Sequence, residues 1–211
     1  MIKAILFDLD GTLVNTIESN YNTYRAMAEN RGLDFLSFED FISFGGNFRN
    51  LEESAGIQNI TEKEFISTYS QFLDQEQPFH DTLEVLQKMK ADGFKTGIAT
   101  TASWGRIHPV LDKFGLNGFF DHIVSTMDSM KHKPDPHSLI TLAENLGVKC
   151  DECVYIGDSI SDVLAAKAAG MVSIGLTRGI KDDDHFAEIK PDAIFENLSD
   201  AYNFIKRAAT I

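Results

Sequence analysis

The sequence predicts an α/β fold, a parallel sheet wrapped on both faces by helices, with a separate helical segment inserted near its start. Three observations predict it. Short, nearly continuous apolar runs recur, as in Ile2-Lys3-Ala4-Ile5-Leu6-Phe7 and Cys153-Val154-Tyr155-Ile156, and strands buried on both faces read this way. Stretches of helical length alternate with them, which implies parallel crossovers. Between residues 16 and 79 no convincing buried strand occurs, and apolar residues instead fall at helical spacing, as at Tyr21, Tyr24, Met27 and Ala28.

Taken in order, strands are predicted over 3–7, 94–100, 122–125, 153–157, 172–176 and 192–195, and the helices between them over 81–92, 103–114, 135–146, 161–169 and 199–208. Gly93, Gly115, Gly147 and Gly170 each follow a helical stretch, where a left-handed C-cap is wanted. In the helical insert, Phe35, Phe38, Phe41, Phe44, Phe65 and Phe72 recur at the spacing a packed helix requires and are read as its core.

The composition narrows the class. The 211 residues, 43% of them hydrophobic, suffice for a sizeable core. Apolar runs fall short of the roughly 18 to 20 residues that span a bilayer, and the start of the chain carries no signal-peptide pattern, so cytoplasmic residence is the expectation. A net charge of -13 opposes nucleic-acid and membrane partners, which are held by clustered Lys and Arg. Cys150 and Cys153 form a C-x-x-C pair, but no second pair or His couple accompanies it, and Cys153 starts a predicted buried strand; a packing role is expected rather than zinc or redox chemistry.

The run Phe7-Asp8-Leu9-Asp10-Gly11-Thr12-Leu13 carries the chemistry. Ligands of open α/β sheets collect at the carboxyl ends of strands, which is where Asp8 falls. An Asp can attack phosphorus, and the leaving oxygen then needs a proton that Asp10 can supply. Gly11 permits a tight turn that lets carboxylates and amides face one anion, and Thr12 adds a hydroxyl.

This D-x-D-G-T-L string resembles the first motif of the haloacid dehalogenase-like hydrolase superfamily, and three further motifs follow in that family's order. Thr100 closes the strand Phe94-Lys95-Thr96-Gly97-Ile98-Ala99-Thr100, Lys133 stands in Lys133-Pro134-Asp135-Pro136, and Gly157-Asp158-Ser159-Ile160-Ser161-Asp162 matches G-D-S-x-x-D. The resemblance covers nearly the whole chain. It implies a Rossmann-like doubly wound parallel sheet built from residues 1–15 and 80–211, with residues 16–79 as a small all-helical cap closing over the site. Asp8 is implied as nucleophile, Asp10 as acid and base, and Lys133 as charge neutraliser; Thr100 and the amide of Thr101 would hold a phosphate oxygen. Magnesium is the implied cofactor, held by Asp8, the Asp10 carbonyl and Asp158, with Asp162 either ligating through water or orienting Asp158 and Lys133.

Lys131 is the rival for the lysine role. Lys133 is favoured because Asp135 as N-cap and Pro136 at the first helical position would fix its direction. His132 and His137 are read as surface residues, and Trp104 as either packing or a wall of the site. In the insert, Phe44-Gly45-Gly46-Asn47-Phe48-Arg49 breaks the helical pattern, and Arg49 is a candidate to clamp a carboxylate or second phosphate. Two departures stand out. Asn15-Thr16 replaces the Asp-Ser that many capped members carry after the first motif, and Ala102 stands where some relatives have Lys. The implied activity is a phosphatase for a small phosphorylated metabolite, similar to phosphoglycolate phosphatases, acting as monomer or homodimer. A beta-phosphoglucomutase-like phosphotransferase and a non-catalytic phospho-ligand-binding protein are the alternatives. Dehalogenase chemistry is disfavoured, since it has no use for a protonating Asp10 or a magnesium site.

Overall fold

The six apolar runs form one sheet in which every strand is parallel to its neighbours. The computed structural model describes residues 1–43, 56–57, 59–129, 131–181 and 183–209. By internal contacts it divides into two units, one of Met1–Val14 with Pro78–Ile211, the other of Asn15–Gln77. The expected division placed the boundaries one or two residues further along the chain at each crossing.

In the first unit the strands are β1 (Ala4–Phe7), β4 (Lys95–Thr100), β5 (His122–Ser125), β6 (Cys153–Gly157), β7 (Val172–Leu176) and β8 (Ala193–Phe195), arranged in the order β5-β4-β1-β6-β7-β8. β1 and β6 are buried along their whole length, consistent with their unbroken apolar sequence, and β4 is buried after Lys95 although it carries Thr96 and Thr100. Register pairs Phe7 with Ile98 on one side and Ile156 on the other. Succession runs outward from β1 to β4 and β5, then returns to β6 and proceeds to β7 and β8. The connection reverses beside β1 and β6, and the crevice at such a switch point is where open α/β sheets bind ligands. Two short strands, β2 (Val14–Asn15) and β3 (Gln77–Pro78), form a separate two-stranded sheet.

Helices α4 (Thr82–Ala91), α5 (Trp104–Lys113), α6 (His137–Leu146), α7 (Ile160–Ala169) and α8 (Leu198–Ala209) flank the sheet. Leu139, Leu142, Ala143 and Leu146 of α6 join Ala4, Leu6, Ala99 and Tyr155 in one buried cluster. Burying a Leu side chain contributes about 2 kcal/mol, so this face of α6 alone anchors it firmly. Gly147 and Gly170 adopt φ of 66° and 74° at the ends of α6 and α7, as their positions predict. α6 is regular from His137, with Pro136 in αR conformation before it, and the Asp135 carboxylate accepts the His137 N–H at 2.9 Å, the side-chain bond expected of Asp135 as a cap.

The second unit contains α1 (Ile17–Glu29), α2 (Phe38–Ser43) and α3 (Glu62–Tyr69). Tyr24, Ala28, Phe41 and Ile57 form its buried centre, with Phe35 and Phe65 packed against them. Phe38 departs from expectation. It is 41% exposed and touches Tyr21 edge to face, so it covers the margin of the cluster rather than filling it. Phe72 is half-buried. Phe44 and the whole stretch through Arg49 lie outside the described residues. Among the described residues, no helix is long and apolar enough to cross a membrane.

Candidate active site

Asp8 follows β1 directly, and its N–H bonds to the Ile156 carbonyl of β6 at 3.0 Å, which fixes it at the switch point. Its Oδ1 accepts from Lys133 Nζ at 2.8 Å. The same ammonium donates to Asp162 Oδ1 at 2.6 Å and lies 3.0 Å from Tyr155 Oη and 3.2 Å from the Ala99 carbonyl. Tyr155 Oη in turn donates to Ala99 O at 2.7 Å. Lys133, not Lys131, therefore reaches the carboxylates; Lys131 is exposed.

Asp162 owes its place to α7. It stands at the third helical position, where its carboxylate accepts the Ser159 N–H at 3.0 Å and Ser159 Oγ accepts the Asp162 N–H at 3.3 Å, a reciprocal cap. Both Asp162 oxygens are engaged, one by Lys133 and one by Ser159. Gly157 makes this possible, since a Cβ there would sit 2.4 Å from Asp162 Cβ. Asp158 receives Thr12 Oγ1 at 3.0 Å and Lys181 Nζ at 2.7 Å. Gly11, at φ 78°, lies so close that a Cβ would meet the Asp158 carboxylate at 2.5 Å. Ligand oxygens of Asp8, Asp158 and Asp162 converge within 4.8 Å, all from buried residues, and such a set of hard oxygens suits a divalent cation.

Asp10 is less enclosed, with 18% of its side chain exposed, and Arg106 of α5 grips it through two N–H groups, Nε at 3.1 Å from Oδ2 and Nη2 against Oδ1. Thr100 is buried at the end of β4, its hydroxyl oxygen accepting the Ala102 N–H at 3.1 Å; Thr101 beside it is exposed.

The sequence pattern of the haloacid dehalogenase-like hydrolases matches residues 5–176, a span that contains every one of these carboxylates. The chain belongs to the haloacid dehalogenase-like hydrolase family. It is 33% identical over 208 residues to a pyrophosphatase PpaX of Bacillus velezensis, covering 94% of each chain, and 32% identical over 218 residues to that of Anoxybacillus flavithermus, covering 97% of each. A crystal structure of a predicted phosphoglycolate phosphatase from Haemophilus somnus superposes with a TM-score of 0.81 at 25% identity over 97% of this chain and 98% of that one. A beta-phosphoglucomutase from Clostridium difficile shares the fold at a TM-score of 0.79 and 21% identity, covering 97% and 99%. The chain is thus an enzyme, a phosphatase-type hydrolase.

The electrostatics of this hydrolase follow from burial. Burial, with Lys133 pulling the other way and Asp162, Asp158 and Asp10 repelling, pushes the Asp8 carboxyl up to about 8. Burial also disfavours the Lys133 ammonium, but Asp162 and Asp8 outweigh it and hold it charged, well above the usual lysine range. Asp162, opposed by burial yet closest to that ammonium, stays below the usual carboxylate range. Of the two carboxylates on this lysine, Asp162 is the nearer, at 2.6 Å against 2.8 Å for Asp8.

Three residues of the site carry no family signal in the sequence reading. Tyr155 reads there as an apolar strand residue. Arg106 and Lys181 reach their aspartates across 96 and 23 residues of chain. The nearest available sign of Arg106 was its place in the first turn after Thr100, the residue already tied to phosphate. Other candidates fall elsewhere. Trp104 donates its indole N–H to Asp128 at 3.0 Å. His137 is exposed, while His132 is half-buried, its Nδ1 lying 2.8 Å from Thr126 Oγ1. Cys150 and Cys153 carry free thiols, and burial first, then the Cys150 and neighbouring acidic charges, pushes Cys153 up to about 12.

Proposed function

We propose that this hydrolase is a magnesium-dependent phosphatase of a small phosphorylated metabolite, working through an aspartyl-phosphate on Asp8. One observation carries the reading: Asp8 is seated at the sheet's switch point on the Lys133 ammonium at 2.8 Å, with Asp10 two residues away on the same turn. Asp8 attacks phosphorus in line, and the bond to the leaving oxygen breaks as Asp10 gives that oxygen a proton. Asp10 then takes a proton from a water whose oxygen attacks the same phosphorus, releasing inorganic phosphate and restoring Asp8. Lys133 neutralises charge on Asp8 and the transferring group, and the Thr100 hydroxyl with the Thr101 amide receives a phosphate oxygen.

The donor set fits magnesium. Four carboxylates, Asp8, Asp10, Asp158 and Asp162, face three cations, Arg106, Lys133 and Lys181, so an arriving phosphate dianion leaves the site strongly negative. A magnesium ion held by Asp8, Asp158 and the Asp10 carbonyl would offset that charge and keep Asp8 ionised. Asp162, nearest to the Lys133 ammonium at 2.6 Å, serves as the residue that positions it.

The names of the relatives suggest the first substrates to try, inorganic pyrophosphate and phosphoglycolate. The test is inorganic phosphate release from these and a panel of sugar phosphates, with magnesium or with EDTA. Magnesium-dependent release supports the reading. Transfer of phosphate between sugar positions without release favours a phosphotransferase, and tight binding without turnover favours a binding protein.

A further inference from the structure

We infer that Arg106 is the receptor for a second anionic group on the substrate, a phosphate or carboxylate carried by the leaving group. The inference rests on the phosphatase reading and narrows its substrate class. Arg106 is only 3% exposed, and its guanidinium spends two N–H groups on Asp10. Among the described residues, Lys133 pairs with Asp8 and Asp162, Lys181 with Asp158, and Arg106 with Asp10. Asp10 is the group that faces the leaving oxygen in the proposed reaction, so the cation lying against it stands on the leaving-group side.

A guanidinium fork holds carboxylate and phosphate with the same paired geometry. An anion on the leaving group can therefore take the place that Asp10 holds on the fork, and in doing so it releases Asp10 from it. A neutral leaving group can do neither. Ala102, in the loop between Thr100 and α5, offers only a methyl group, so the cation that this segment turns toward Asp10 is Arg106.

The experiment compares kcat/KM for inorganic pyrophosphate and 2-phosphoglycolate with that for ethyl phosphate, whose leaving group is uncharged, in wild type, Arg106→Met and Arg106→Lys. The wild type is expected to prefer the charged substrates by at least about tenfold. Arg106→Met should shrink that preference by at least about tenfold, mostly through KM, and Arg106→Lys should fall between, since a point charge lacks the fork. Equal losses on charged and neutral substrates, the signature of a residue that merely props Asp10, would overturn the inference, as would a wild type with no preference. Should Arg106→Met fail to fold, an undiminished preference in Arg106→Lys overturns it equally. A folded wild type that releases phosphate from none of the three overturns the phosphatase reading, and this inference falls with it.

Discussion

Lys133 Nζ stands 2.6 Å from Asp162 Oδ1, with 3% and 1% of the two side chains exposed. A buried ion pair of this kind contributes little relative to an apolar pair, but removing one partner leaves a charge stranded. Lys133→Met strands the Asp162 carboxylate and leaves Asp8 without its counter-charge, and urea denaturation should show a loss of about 3 kcal/mol or more. Asp162→Asn keeps the Ser159 contact and the volume while removing the closer of two counter-charges. It should cost less stability than Lys133→Met, yet lower phosphate release by at least about tenfold, because Lys133 loses its bearing on Asp8.

Gly11→Ala addresses the turn itself. The added Cβ would collide with the Asp158 carboxylate at 2.5 Å, and the backbone at φ 78° disfavours any side chain. We expect a loss of about 1 to 2 kcal/mol in thermal or urea denaturation, together with weakened magnesium binding read by calorimetry. Unchanged magnesium affinity would separate Gly11 from the placing of Asp158.

How far the sequence could be read depends on how local each signal is. Asp8 stands at a strand end that its apolar run betrays, while Asp158 and Asp162 were legible through the motif that resembles the family's, after another such strand. β1 and β6 were equally legible, because a strand buried on both faces has no polar face to confuse the pattern. Arg106 and Lys181 were not, since nothing in α5 or in the polar loop after β7 marks which basic residue folds inward. Phe38 illustrates the opposite error: helical spacing assigns a face, but not whether that face is central or marginal.

Lys181 Nζ holds Asp158 Oδ2 at 2.7 Å, and a divalent cation bound by Asp158 as proposed would share that carboxylate with it. Like charges around one carboxylate repel: two unit charges roughly 4 Å apart do so by about 4 kcal/mol at an effective dielectric of about 20, and an ammonium against a divalent ion by about twice that. Lys181→Gln is therefore expected to tighten magnesium binding by about tenfold, or roughly 1.4 kcal/mol, in isothermal titration of the protein without substrate. Weakened binding would mean that Lys181 places Asp158 rather than opposing the ion.

Away from the site, Arg178 ties the turn after β1 to α4. Its Nη1 donates to Asp81 at 2.8 Å, its Nε donates to the Thr12 carbonyl at 2.9 Å, and its guanidinium lies over the Phe79 ring at 4.3 Å. Burial opposes the Asp81 carboxylate, but the Arg178 charge prevails and holds it below its ordinary value of 3.8. A carboxylate whose folded value is depressed stabilises the native state above its unfolded value, and that contribution is lost as pH falls through the folded one. Asp81→Asn should thus lower stability by about 3 kcal/mol at pH 7. The gap between variant and wild type should narrow as pH falls below the ordinary value of 3.8 and close once the folded carboxyl is itself protonated, as followed by urea denaturation across pH. A gap that persists unchanged into acid would assign the loss to packing.

The proposed phosphoryl group on Asp8 can be sought directly. Rapid acid quench of enzyme turning over substrate with magnesium, followed by mass spectrometry of the peptide spanning Asp8 and Asp10, should reveal a phosphoryl adduct on Asp8 that hydroxylamine removes. Asp8→Asn should carry no adduct and release no phosphate. Turnover retained in Asp8→Asn, or an adduct on any other residue, would contradict Asp8 as the nucleophile.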